Sequence, residues 1–235
     1  MNISEALATI PIFNGLPLEQ YDDLAVIIVD KIFKRGQIIF SEGDPGTGFY
    51  VVVDGRVKIY KLSMDGKEQI LHLWGAGEPF GEAALFTGQN FPAYAEAMEK
   101  TRVFYIPRQA FADLIKDNPS LALNMLATLS MRLHRFANLI EDLSLKEVSG
   151  RLAAYFIELS RQHGDANAIT LDLAKGQLAS LLGTIPETLS RTLTKMVAQD
   201  LIQADGPNIE IINRNDLEEL AVSARRLSEF VKDGQ

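Results

Sequence analysis

Apolar and polar positions change their period twice along the chain. From about Lys31 to Pro107, glycines at 36, 43, 46, 55, 66, 75, 81 and 88 divide the sequence into short segments, the spacing of paired β-strands. Asp54-Gly55 and Asp65-Gly66 predict tight hairpin turns, because glycine accepts the positive φ such turns require. Between them Val57, Ile59 and Leu62 fall on one face and Arg56, Lys58 and Lys61 largely on the other. Phe49–Val53 is an unbroken apolar run that suits a buried strand. The region predicts a small antiparallel barrel or jelly roll, flanked by short helices around Leu18–Ile28 and after Pro107. From about Pro119 to Leu145 the period becomes helical. Ala122, Leu126, Leu129, Leu133, Phe136, Ile140 and Leu143 are spaced 4-3-4-3-4-3. A helix packed only on its own domain carries a broader stripe of period 3.6, whereas a sustained 3.5 period predicts a dimerising coiled coil.

Beyond Glu147 the elements shorten. Leu152, Tyr155, Phe156 and Leu159 mark a helix over Arg151–Arg161. Two further helices are predicted at Lys175–Leu182 and from Pro186 to Asp200. Strands at Leu201–Ala204 and Ile209–Ile212 enclose Asp205-Gly206-Pro207-Asn208, and Asn215–Val231 reads as a last amphipathic helix. A helix–turn–helix followed by a hairpin is the outline of a winged DNA-binding domain. Within Gln177–Lys195, Ala179 is small where two helices cross. Gly183 suits the C′ position, Thr184 is the expected cap, and Pro186 suits a first turn. Leu181, Leu182, Leu189 and Leu193 are expected in the core. Glu187, Thr188, Ser190, Arg191 and Lys195 remain for the exposed face, with Lys175 nearby. Arginine pairs bidentately with guanine, glutamate accepts from cytosine N4, and serine serves a base or a phosphate. An ordinary helical hairpin with a solvated charged face is the competing reading.

Composition bears on both readings. With 23 Lys+Arg against 31 Asp+Glu the net charge is −8, which argues against nucleic acid. Locally the balance reverses: from Lys175 to Lys195 the ionised residues are Lys175, Arg191 and Lys195 against Glu187. A basic patch suffices for phosphate contact, and the overall charge restrains non-specific binding. The 47% apolar share supports a globular core. The absence of cysteine excludes disulfides, a cysteine nucleophile, thiolate zinc and a cysteine-held iron–sulfur cluster. No apolar run approaches the roughly 18 residues of a membrane helix. The start MNISEALATIPIF carries no basic-then-apolar signal, so no membrane partner and a cytoplasmic location are expected. No catalytic constellation or phosphate loop suggests an enzyme.

Five segments together resemble the CRP/FNR superfamily of bacterial transcription regulators. They are EGDPGTGFYVVVDGRVKIY from Glu42, GAGEPFGEAALFTGQ from Gly75, the long helix, EVSGR at Glu147–Arg151 and GTIPETLSR at Gly183–Arg191. The resemblance covers nearly the whole chain. It implies an α+β fold in three parts: a β-roll effector domain like a cyclic-nucleotide-binding domain (1–117), a dimerisation helix (118–146), and a winged helix–turn–helix (147–235). The implied partners are double-stranded DNA at a palindromic operator, a second copy of the chain, and RNA polymerase. Glu187, Ser190 and Arg191 resemble the FNR-type reading head, whose half-sites resemble TTGA. Leu126, Leu129, Leu133, Phe136, Ile140 and Leu143 are the expected dimer contacts.

The effector region departs from the cyclic-nucleotide pattern. Phe80-Gly81-Glu82 is retained, and the resemblance would give Glu82 a ribose hydroxyl. Where an Arg-Ser/Thr-Ala phosphate clamp is implied, the chain reads Asn90-Phe91-Pro92-Ala93, and Phe136-Ala137 replaces the polar pair that contacts adenine. A phosphodiester would lose its counter-charge, so cAMP is disfavoured. An apolar effector pocket lined by Phe80, Gly81, Glu82, Phe91, Pro92, Ala93, Phe136 and Ala137 is expected instead. GEAA, NFPA and TIPETLSR look most like the DNR/HcpR branch, linked to nitric oxide, for which haem b is the implied cofactor. The candidate axial ligands are His72, His134 and Met64, each with an ordinary structural alternative. His163 fits a helix C-terminus better. A regulator of this family responsive to a cyclic nucleotide or another small molecule, one with a degenerate sensor, and a regulatory subunit of an enzyme are the alternatives.

Overall fold

A computed structural model describes residues 3–14 and 16–222, which fall into two compact units, Met1–Leu133 and His134–Gln235. The first unit holds α1 (Ile3–Ala8), α2 (Leu18–Ile27), β1 (Val29–Phe33), β2 (Ile38–Phe40), β3 (Gly48–Asp54), β4 (Val57–Leu62) and β5 (Glu68–Trp74). It continues with β6 (Pro79–Phe80), α3 (Glu82–Thr87), β7 (Tyr94–Ala97), β8 (Thr101–Pro107) and α4 (Arg108–Asp117), and then α5 (Pro119–Leu145) begins. The eight strands form two antiparallel sheets, ordered β1-β8-β3-β6 and β2-β7-β4-β5. This is the expected α+β class with an antiparallel roll.

One predicted hairpin is a corner instead. Asp65-Gly66 joins the paired strands β4 and β5, but Asp54-Gly55 carries the chain from one sheet to the other, since β3 pairs β8 and β6 while β4 pairs β7 and β5. Both glycines take positive φ, +86° and +79°, so the local requirement is the same and only the distant partner differs. The apolar run of β3 also has a physical cause: it is buried on both faces. Phe49 and Val51 join the cluster formed with Leu7, Phe13, Leu24, Phe111, Leu121 and Met125. Tyr50 and Val52 point into the roll with Phe40, Val57, Trp74, Phe80, Phe91 and Val103. Burial pushes the Tyr50 hydroxyl up to about 12.

The helix Pro119–Leu145 has the expected bounds but is not a separate unit. Its first part, with Leu121 and Met125 buried, belongs to the roll, and the division falls between Leu133 and His134. The seam positions Leu126, Leu133, Phe136 and Ile140 are 58%, 72%, 39% and 65% exposed. Leu129 departs from them and packs partly on the roll core.

The second unit holds the end of α5, then α6 (Val148–Gln162), β9 (Ala168–Thr170), α7 (Lys175–Leu181), α8 (Pro186–Ala198), β10 (Ile202–Asp205), β11 (Asn208–Ile211) and α9 (Arg214–Val222). The wing is a three-stranded sheet, β10-β11-β9. The sequence pattern showed its hairpin but not β9, which is only three residues long. The helix expected over Asn215–Val231 is seen as far as Val222, and its remainder lies outside the described residues. Among the described residues no helix is long and apolar enough to cross a membrane.

Candidate DNA interface and effector site

The helix–turn–helix is positioned by burial on one side only. Leu178, Ala179, Leu182, Leu189 and Met196 are buried, anchoring α7 and α8 to the domain. Gly183 takes φ +64° just past the end of α7, as expected of a C′ glycine. The expected cap differs: Ile185 occupies the N-cap of α8, with Pro186 at its first turn and no side-chain cap. Thr184 instead donates its backbone N–H to the Ala179 carbonyl.

The other side of α8 is open. Glu187, Ser190, Arg191 and Lys195 are exposed, and Thr188 is half-buried. Arg191 donates to the Thr188 hydroxyl at 3.2 Å, so its guanidinium is held along the helix surface. Ser190 and Lys175 share the rim of an open apolar groove of about 440 Å³ beside the wing, with Leu173, Leu193 and Ile209 in its walls. Thr188 and Lys195 line a second hollow on the opposite side of α8, with Ser149 and Arg151 of α6. The six predicted positions thus surround one exposed helix face, with an acid in its first turn and a lysine in its last.

Arg151, whose role the sequence left unassigned, is a structural tie. Its guanidinium donates to the carbonyl of Leu182 at 2.8 Å, to that of Lys146 at 2.6 Å, and to that of Asp142 at 3.4 Å. One side chain therefore joins the end of α5 to the end of α7. Burial pulls its affinity for a proton below that of free arginine, opposed by nearby Asp142. Arg151→Ala strips donors from three carbonyls and is expected to cost about 2–3 kcal/mol of stability. Lysine, lacking the planar fork, should restore little of it. Thermal unfolding of both variants checks this, and an unchanged melting temperature for the alanine variant would refute it.

The expected apolar effector pocket is not what the roll presents. Phe80, Phe91 and Ala93 are buried in the core. Phe91 stacks on Phe40 with ring centroids 3.9 Å apart, so the ring that stands in the clamp position is packing. Pro92 is exposed, and its carbonyl accepts from the Lys61 ammonium at 2.9 Å. Gly81 takes φ +78°, and a Cβ there would lie 3.0 Å from the Phe91 ring, which is why the turn into α3 needs glycine. Phe136 and Ala137 lie on the exposed helix surface of the second unit.

Glu82 remains, and it has a partner the sequence did not suggest. Arg132 of α5 donates to Glu82 Oε1 and to the Pro79 carbonyl, with its guanidinium 4.0 Å above the Trp74 ring. The signal was present: Arg132 follows Leu121 and Met125 at spacings of four and seven, a cation on the buried stripe. The haem-ligand candidates do not converge. His72 lies against Trp74 with centroids 3.8 Å apart, His134 is exposed, and Met64 is wholly exposed beside the Asp65-Gly66 turn. Among the described residues no group of three or more His, Cys, Asp or Glu side chains could hold a metal.

Comparison with known proteins agrees with this architecture. The cyclic nucleotide-binding domain family matches residues 30–118, and the Crp-like helix-turn-helix domain family matches residues 150–220. The chain is 31% identical over 227 residues, 95% of its length and 100% of the relative's, to the CRP-like cAMP-activated global transcriptional regulator of Mycobacterium tuberculosis H37Rv. It is 30% identical to the fumarate and nitrate reduction regulatory protein of Escherichia coli K12, covering 92% of this chain and 86% of that one. Among solved structures FixK2 from Bradyrhizobium japonicum superposes with a TM-score of 0.72 at 26% identity, covering 85% of this chain and 100% of the other. The cAMP-activated relative overturns two expectations, the haem cofactor and the exclusion of cAMP. The charge-free segment Asn90–Ala93 is only one part of the roll, and α5 brings a buried arginine, Arg132, to Glu82. The whole-length similarity, joined to the roll and the winged helix, places this chain in the CRP/FNR family of DNA-binding transcriptional regulators.

Proposed function

We propose that the protein is a homodimeric regulator that binds a palindromic operator under control of a cyclic-nucleotide-type effector. The observation that carries the DNA reading is the exposed face of α8, on which Glu187, Ser190 and Arg191 stand clear of the packed side. In a major groove these early helix positions meet base edges, and the FNR-like pattern points to TTGA-like half-sites. Thr188, Lys175 and Lys195 then serve the backbone and fix register. The exposed seam through Leu126, Leu133, Phe136 and Ile140, joined by Leu129 and Leu143, supports pairing of two copies of α5. The dimer matches the two-fold symmetry of a palindrome, and RNA polymerase is the partner through which the bound dimer alters transcription.

Two things support the effector class: the match of residues 30–118 to the cyclic nucleotide-binding domain, and the retention of Glu82 at the start of α3. An effector shifts the protein only if it binds the DNA-competent arrangement better than the other. The test is operator affinity with and without cAMP. A rise on adding cAMP is expected, and equal affinity would refute control by this class.

A further inference from the structure

Ile185 breaks two local rules at the open end of α8. It occupies the N-cap, where serine, threonine, aspartate or asparagine would accept from a first-turn N–H, and it makes no side-chain cap. It is also a large apolar side chain left 45% exposed. A local rule broken without a packing gain is the signature of a functional position. The backbone holds this side chain in place. Pro186, at the first helical position, confines the residue before it to extended backbone, and Ile185 has φ −115° and ψ 154°. Branching at Cβ then leaves it few rotamers. Ile185, Pro186 and Glu187 are exposed in succession, so the isoleucine stands beside the acidic residue that begins the reading face.

Glu187, Ser190 and Arg191 read hydrogen-bond donors and acceptors. The thymine C5-methyl is the apolar group that major-groove readout recognises, and it needs an apolar partner. We propose that Ile185 reads a thymine methyl in each half-site, fixing a T·A pair beside those read by the polar residues. This rests on the DNA reading proposed above and deepens it. A serine in the same place would cap α8 and leave that methyl without an apolar contact.

Replacing thymine by uracil removes the methyl and leaves every hydrogen-bonding group of the base pair. The full-length protein, with cAMP present, is titrated against palindromic duplexes carrying TTGA-like half-sites. Uracil replaces the thymines at one symmetric pair of positions at a time. For the wild type, one such pair is expected to weaken binding about fourfold per half-site, or about fifteenfold over both. In Ile185→Ser the uracil and thymine duplexes should bind alike, and Ile185→Val should keep part of the penalty. Ile185→Ser supplies a better N-cap, so its thermal unfolding should come no earlier than that of the wild type. The ratio of thymine to uracil affinities cancels any general change in DNA binding. A uracil penalty undiminished in Ile185→Ser overturns the assignment of Ile185 alone. So does a wild type that prefers the palindrome over random DNA yet ignores uracil at every position. A wild type without that preference overturns the DNA reading, and this inference with it.

Discussion

Leu133→Glu should turn the protein into monomers at concentrations where the wild type sediments as a dimer. Leu133 is 72% exposed in the single chain although it sits on an apolar seam with Leu126 and Ile140, and such a seam is stable only when a second helix covers it. Each substituted protomer loses about 2 kcal/mol of leucine burial, and the symmetry of a two-fold seam brings the two new carboxylates close together. A combined loss of at least about 4 kcal/mol corresponds to roughly a thousandfold in the dissociation constant. The roll should stay folded, because Leu121, Met125 and Arg132, which α5 buries on the roll, lie on a separate stripe of the helix about 100° round from Leu133. Sedimentation velocity on both proteins checks this, with circular dichroism as the folding control. A dimer unchanged by the substitution would mean that the seam is not the interface.

Arg191→Ala should weaken binding to the cognate operator by about 1–3 kcal/mol per half-site and relax the sequence preference there. Arg191 is exposed on α8 and held by the Thr188 hydroxyl at 3.2 Å, so its fork is oriented before DNA arrives and pays less to bind. Lys195→Ala, one turn later, should weaken cognate and random duplexes alike and flatten the salt dependence. The contrast between the two variants separates base reading from phosphate contact. Competition binding over a set of single-base operator variants makes the distinction, and an Arg191→Ala protein with wild-type affinity and preference would remove arginine from the reading head.

Local features of this fold were written plainly in the sequence, and non-local ones were not. Asp65-Gly66 and Asp54-Gly55 are the same dipeptide with the same left-handed glycine, and both turns were legible. Only the pairing of β3 with β8, some fifty residues away, makes the second a corner between sheets. The exposed face of α8 was legible because helical periodicity divides Leu189 and Met196 from Glu187, Ser190 and Arg191 within one element. The effector region was less legible for the opposite reason. Phe91 looked like the wall of an apolar pocket because its place in the motif was known and its neighbour was not; against Phe40 it fills space instead. Arg132 was invisible as the buried partner of Glu82 because that carboxylate lies fifty positions earlier. A cation on the buried stripe with Leu121 and Met125 was the available clue, since burial of an unpaired charge is prohibitive.

The most direct test is fluorescence anisotropy with a labelled palindromic duplex carrying two TTGA-like half-sites, titrated with the full-length protein in the presence and absence of cAMP. A control duplex has one half-site scrambled. The expected result is two protomers per duplex, affinity that rises with cAMP, and a preference for the intact palindrome of about a thousandfold over random DNA. Equal affinity for the palindrome, the control and random DNA, with or without cAMP, would contradict it.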